Sequence, residues 1–485
     1  MRKILSSTIL ATIILTTTQA VYAQAVLPKK ITETKKAQVK DSIVKIFTVT
    51  SEPDFDSPWS SSISGGTGSG FIIDEDKILT NAHVVTNATY IEVLKNGEIK
   101  RYEAEVLSID HEADLALITV KDKQFFKNTK SLELGELPSL QEKIQVYGFP
   151  MGGETLSITE GVVSRVENQN YVHSGKSLLA IQVDASINPG NSGGPAILNG
   201  KVVGLVMQVM TYGENLGYMI PTSIIRHYLK DMKDGKYDGF PYFGIMAQGL
   251  ESPVMKEKYG LKGKDYGILI NKTIPNSPAS RVLKTGDILI AIDGQRVYSN
   301  LKVEFRKKEF TDFGYLLDKH QLGETINLTI LRDNQEKNVS VVLDKKINEL
   351  ELIKIQNPEK RPSYYIYGGL VFVPGTREVI SSDSKYYSIY PDKDREELVI
   401  LKRILPSSLT KGLKYSLYVI DSVNGKKIKN FKEFVAMLEN TKDKFTVFED
   451  EDHTQIILNH KDVLRKQQEV LKKYNIKSYK SDNLL

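Results

Sequence analysis

The 485-residue sequence has no cysteine, one tryptophan and seven histidines. Without thiols there is no disulfide framework, no thiolate-held zinc or iron–sulfur centre and no cysteine nucleophile. The fold must therefore be held by its apolar core alone. Basic and acidic residues nearly cancel, 65 against 60, which removes the electrostatic footprint of a nucleic-acid partner. The nucleotide-cradling pattern G-x-x-x-x-G-K-[ST] is missing, so ATP-driven work is not expected. No histidine pair has metal-ligand spacing, so neither a metal site nor another cofactor is expected. Past the N-terminus no apolar run reaches the about 20 residues that a membrane span needs.

The chain does carry a hydroxyl on a tight loop. Residues 187–195 read Ile-Asn-Pro-Gly-Asn-Ser-Gly-Gly-Pro. Glycines flanking Ser192 let successive N–H groups turn toward one point. Those of Gly190, Asn191 and Ser192 are candidates to hold an oxyanion. A serine becomes a nucleophile only beside a base that an acid orients. Upstream, Leu79-Thr80-Asn81-Ala82-His83-Val84-Val85 offers His83, and Ala113-Asp114-Leu115-Ala116-Leu117 offers Asp114. An ionised carboxylate beside so apolar a run is costly unless paired, which makes His83 its expected partner. The chain order His, Asp, Ser is that of the chymotrypsin type, not of subtilisins or α/β-hydrolases.

The layout suggests about three domains. Arg2 and Lys3, the apolar stretch 4–14 and Val21-Tyr22-Ala23 read as an export signal over residues 1–23, cleaved rather than kept as an anchor. A polar, basic arm follows over 24–40. From 41 to 232, short β-branched runs between turns predict a β-barrel unit, closed by a helix over Pro221 to Met232. A turn-rich linker then leads into a second unit, 242–346, with a hairpin turn predicted at Asp293-Gly294. Residues 363–460 repeat it loosely: Ile404-Leu405-Pro406-Ser407-Ser408 parallels Ile274-Pro275-Asn276-Ser277, and Asn424-Gly425 parallels Asp293-Gly294. Residues 461–485 read as a basic helix and a polar tail.

Four motifs in this order resemble the Deg/HtrA serine proteases that carry PDZ domains. They are Gly68-Ser69-Gly70-Phe71-Ile72-Ile73, Thr80-Asn81-Ala82-His83-Val84-Val85, Asp114-Leu115-Ala116 and Asn188-Pro189-Gly190-Asn191-Ser192-Gly193-Gly194-Pro195. Gly148-Phe149-Pro150-Met151-Gly152-Gly153-Glu154-Thr155 is closer to the plant-type subgroup. The resemblance implies a mainly β architecture: a chymotrypsin-like double β-barrel followed by two PDZ domains, the second divergent. It implies a catalytic triad of His83, Asp114 and Ser192. It also implies a substrate pocket at Ile187, with Ile220 and the loop Met207 to Leu216 as neighbours, favouring small or medium apolar side chains. Tyr242-Phe243-Gly244-Ile245 matches the family's peptide-carboxylate loop, and Tyr367-Gly368-Gly369-Leu370 is its blurred counterpart. The expected partners are unfolded or damaged polypeptides and peptide C-termini, the expected assembly a trimer or multiples of it. The expected location is outside the cytoplasm, periplasmic in a Gram-negative cell. The alternative class is a peptide-binding chaperone or scaffold with a latent protease domain.

Overall fold

In the computed structural model, residues 39–74, 76–209, 216–414 and 418–484 are described. The expected export signal and most of the basic arm lie outside them, as does most of the loop Met207 to Leu216. Twelve strands close two barrels. The first joins β1 (Ile43–Pro53), β2 (Ser61–Asp74), β3 (Lys77–Thr80), β4 (Ala88–Lys95), β5 (Tyr102–Asp110) and β6 (Leu115–Val120). The second joins β7 (Lys143–Gly148), β8 (Ser157–Asn170), β9 (Ser177–Val183), β10 (Pro195–Leu198), β11 (Lys201–Val209) and β12 (Gly217–Pro221).

Strand β6 shows how sequence places the core. All its residues are buried, because a pleated strand sends alternate side chains to opposite faces and both faces are covered here. Ala116, Ile118 and Val120 fill the first barrel. Leu115 and Leu117 join Leu205, Ile220 and the helix residues Ile224, Ile225 and Tyr228 in the seam between barrels. That helix, Thr222–Asp231, closes the two-barrel unit where the apolar spacing predicts it. At Asn199-Gly200 both φ angles are positive (52° and 79°), the mirror-type turn that Asn-Gly favours between β10 and β11.

The first half of β2 lacks the β-branched runs expected of the barrel strands. Residues 61–66 of β2 are Ser- and Gly-rich, with poor strand propensity. The register Thr50↔Ser64 through Pro53↔Ser61 against β1 holds them. The tip of this hairpin carries Trp59, whose ring meets Tyr364 edge-on at 5.9 Å. Arg403 donates to Ser57 Oγ at 2.9 Å, and Lys402 pairs with Asp56 at 2.8 Å. The first barrel thus touches the last unit of the chain.

That last unit repeats the second. In residues 242–346 the sheet begins with Ile245–Gly249, then Ile268–Thr273, then Ile288–Ile292. The hairpin turn at Asp293-Gly294 has φ of 48° and 76°, with Ile292 opposite Gln295. Leu370–Pro374, Val399–Ile404 and Tyr418–Ile420 take the same order in the last unit, and Asn424-Gly425 turns likewise (49° and 75°). One difference matters. The outer edge of Ile245–Gly249 has no strand beside it among the described residues, whereas the matching edge of Leu370–Pro374 is paired with Tyr365–Tyr367. The C-terminal tail adds to this strand in turn: Ile366 N–H donates to Tyr479 O at 2.7 Å.

Candidate active site

The two barrels meet at the loops that carry His83, Asp114 and Ser192. His83 sits on the short helix Ala82–Val85, directly after β3. Asp114 opens β6 from a turn and takes φ of +56°, a conformation that Asp and Asn accept more readily than other side chains. Asn81 holds that backbone by donating from Nδ2 to Asp114 O at 2.9 Å. The Asp114 carboxylate is buried, and its Oδ2 lies 2.8 Å from His83 Nδ1. Its Oδ1 lies 3.0 Å from the same nitrogen and accepts the His83 backbone N–H at 2.9 Å. A buried anion with these partners fixes the imidazole tautomer: Nδ1 carries the proton and Nε2 is left with a lone pair.

Ser192 is positioned from both barrels. Ser69, on β2, donates from Oγ to Gly190 O at 2.7 Å and accepts Phe149 N–H at 2.8 Å. Its backbone N–H donates to Ser192 O at 2.8 Å. Gly193 takes φ of +84°, and a Cβ there would stand 2.1 Å from Ser69 O, so the loop packs backbone against backbone. Asn191 leaves the expected oxyanion trio: its N–H is already given to Asn188 O at 3.0 Å. The N–H groups of Gly190 and Ser192 have no acceptor among the described residues and remain as candidate donors. The Ser192 hydroxyl donates to Met207 O at 3.4 Å. No hydrogen bond joins it to His83 among the described residues.

A second imidazole was not expected here. His173, on the loop between β8 and β9, stacks on His83 with ring centroids 4.2 Å apart and planes 16° apart. Ligand atoms of His83, Asp114 and His173 all fall within 4.8 Å of one another. Imidazole lone pairs lie in the ring plane, so two nearly parallel stacked rings cannot aim at one ion without unstacking. Burial first, and then His83, hold the His173 pKa below the ordinary imidazole value, against the pull of Asp114. At the end of β5, Asp110 is fully buried and accepts Ala113 N–H at 2.9 Å. Burial raises its pKa to about 7.

The expected pocket residues divide. Ile187 is half-buried and lies against Gly217, where a Cβ would come within 2.3 Å of Ile187 Cδ1. Ile220 is fully buried in the seam between barrels, while its neighbour Met219 shares the Ile187 cluster. Strand alternation sends the two to opposite faces, so the structure does not bring Ile220 to Ile187. In the second unit, Gly244 has φ of +82° and accepts Ile274 N–H at 2.9 Å. Phe243 is buried in that unit's core and Tyr242 is half-buried. The stretch Tyr367-Gly368-Gly369-Leu370 is instead a hairpin turn, and Gly368 N–H donates to Gln467 Oε1 at 2.9 Å.

Comparison with known proteins agrees with this geometry. The trypsin-like peptidase domain family matches residues 68–205, and PDZ domain families match 241–343 and 353–483. The chain is 38% identical over 452 residues to the putative mitochondrial protease Do-like 3 of Arabidopsis thaliana, spanning 92% of this chain and 80% of that one. It is 40% identical over 407 residues to the mitochondrial protease Do-like 4 of the same plant, spanning 82% and 77%. A solved HtrA-type protease with decapeptide shares the fold at 23% identity and a TM-score of 0.51, covering 65% of this chain and 97% of that one. Two closed barrels, a buried carboxylate gripping an imidazole, and relatives of this similarity along most of the chain place it in the Do-like, or Deg/HtrA, family of PDZ-containing serine endopeptidases.

Proposed function

We propose that the chain is an exported, ATP-independent endopeptidase that degrades misfolded or damaged polypeptides, with Ser192 as nucleophile, His83 as base and Asp114 as the orienting acid. The observation that carries the assignment is the 2.8 Å contact between His83 Nδ1 and the buried Asp114 carboxylate. It leaves Nε2 with a lone pair for the nucleophile's proton. Substrate binding turns the Ser192 hydroxyl from Met207 O to that nitrogen. His83 takes the proton as Oγ attacks the scissile carbonyl, then delivers it to the leaving amine. The oxyanion sits on the N–H groups of Gly190 and Ser192. Ile187 and Gly217 form an apolar pocket wall, which discriminates by only about 1–3 kcal/mol per methylene and so admits several small apolar side chains.

The domain boundaries accord with the same reading: protease 41–232, first PDZ unit 242–346, second PDZ unit 363–460 with the helix and tail after it. The open edge of Ile245–Gly249 beside Tyr242-Phe243-Gly244-Ile245 suits capture of a peptide end as an added strand. The second unit's corresponding edge is filled by its own chain, which suits a part in assembly, in trimers or their multiples. Names of the relatives, mitochondrial and chloroplastic, support work outside the cytosol. The test is digestion of unfolded casein together with fluorophosphonate labelling. Wild type should cleave and be labelled, and Ser192→Ala should lose about 10⁶ in turnover. Cleavage surviving in Ser192→Ala rejects the triad; labelling without cleavage indicates an esterase, and neither indicates a scaffold with a latent protease domain.

A further inference from the structure

We infer that His173 is a positioning residue for His83, its ring face holding the catalytic imidazole in register with Asp114 and supporting the imidazolium formed during attack. The inference rests on the triad proposed above. His83 is tied at one nitrogen only: Asp114 holds Nδ1, and no described residue bonds Nε2. Such a ring can still swing about the bond to its backbone. The stacked ring at 4.2 Å restricts that swing on one face.

The loop that presents His173 is built for the purpose. Tyr171, fully buried, donates from its hydroxyl to Leu179 O at 2.7 Å, and its N–H reaches Lys176 O at 2.9 Å. Gly175, at φ of +68°, closes the turn by donating to Tyr171 O at 2.7 Å. Ser174 Oγ donates to Glu112 O at 2.8 Å, and Lys176 pairs with the Glu112 carboxylate at 3.4 Å. Glu112 lies two residues before Asp114. The platform under His173 is therefore fastened to the same turn that carries the orienting acid.

The ring itself is exposed on its outer side, so core packing does not explain its place. The charged and titratable groups around the pair are Asp114 under His83, His111 beside Asp114, and Glu112 with Lys176 behind the loop. His173 offers its π face to His83 when that ring becomes protonated. A cation over an aromatic face at a partly exposed site gains about two- to fivefold in stability.

The experiment measures fluorophosphonate labelling of Ser192 from pH 5 to 9 in wild type, His173→Ala and His173→Phe, with thermal melts to verify folding. His173→Ala should label at least about threefold more slowly at pH 8, with the acid limb displaced about half a pH unit downward, because the imidazolium has lost its support. His173→Phe, which keeps a stacked ring, should return both rate and limb close to wild type. Equal rates and limbs in wild type and His173→Ala would overturn the inference. So would a His173→Phe variant as impaired as His173→Ala, since the role would then belong to the imidazole nitrogens. Failure of wild type itself to label would count against the triad proposal and not against His173.

Discussion

Replacing Asp114 by Asn exchanges a carboxylate oxygen for an NH₂ group, and the hydrogen bonds around it dictate which oxygen is lost. Asp114 Oδ1 accepts the His83 backbone N–H at 2.9 Å. An amide must place its oxygen at that position, since its NH₂ cannot accept a proton. The NH₂ is thereby turned toward His83 Nδ1, where Oδ2 stood at 2.8 Å. To accept from it, the imidazole must shed the Nδ1 proton and carry one on Nε2. In that tautomer the ring presents N–H to Ser192 and cannot act as its base. The backbone should be undisturbed, because Asn tolerates the φ of +56° that Asp114 holds. A tautomer penalty of this kind costs about 10⁴ in kcat, or about 5 kcal/mol of transition-state stabilisation. The assay is steady-state cleavage of an unfolded fluorescent protein at pH 8, with fluorophosphonate labelling in parallel and a thermal melt as control. A folded Asp114→Asn enzyme retaining more than about a tenth of wild-type kcat would refute the tautomer argument.

Other consequences are as direct. Gly190→Ala sets a Cβ 2.5 Å from Phe149 O at a φ of +97°; the displaced peptide should lower kcat by about 10²–10³ while leaving the melting profile of the PDZ units unchanged. Arg332 grips the buried Asp287 through Nε at 2.7 Å and also reaches Val282 O at 2.8 Å. Arg332→Met should destabilise the first PDZ unit by about 3–5 kcal/mol in urea unfolding, and adding Asp287→Asn should recover part of it. Asp110, with its pKa raised to about 7 by burial, keeps a proton in the native state that the unfolded chain releases near pH 4. Its contribution to stability should therefore fall by about 1.4 kcal/mol per pH unit from about pH 4 to pH 7. Asp110→Asn should flatten that slope in pH-dependent denaturation; an unchanged slope would show that another group carries it.

Legibility from residues alone divides along physical lines. The pairing of His83 with Asp114 was legible because an Asp beside an apolar strand had to find a partner. The mirror-type turns at Asp293-Gly294 and Asn424-Gly425 were legible because few residues accept two successive positive φ angles. Strand β5 and the first half of β2 were not, since their polar or Gly-rich residues are held by neighbouring strands and not by local preference, and β3 is only four residues long. Ile220 was misplaced for a related reason. Adjacency to the pocket strand is visible in sequence, but the face a side chain takes depends on register, and one position along β12 reverses it. His173 was set aside as a histidine in a Ser-, Gly- and Asn-rich loop, and nothing in its own neighbourhood marks it. Only the turn through Tyr171, Ser174 and Gly175, tied to Glu112, brings it over His83. A candidate base can thus be named from its motif, whereas the ring stacked on it arrives from a distant loop whose anchoring hydrogen bonds run to backbone carbonyls and leave no residue-type signature.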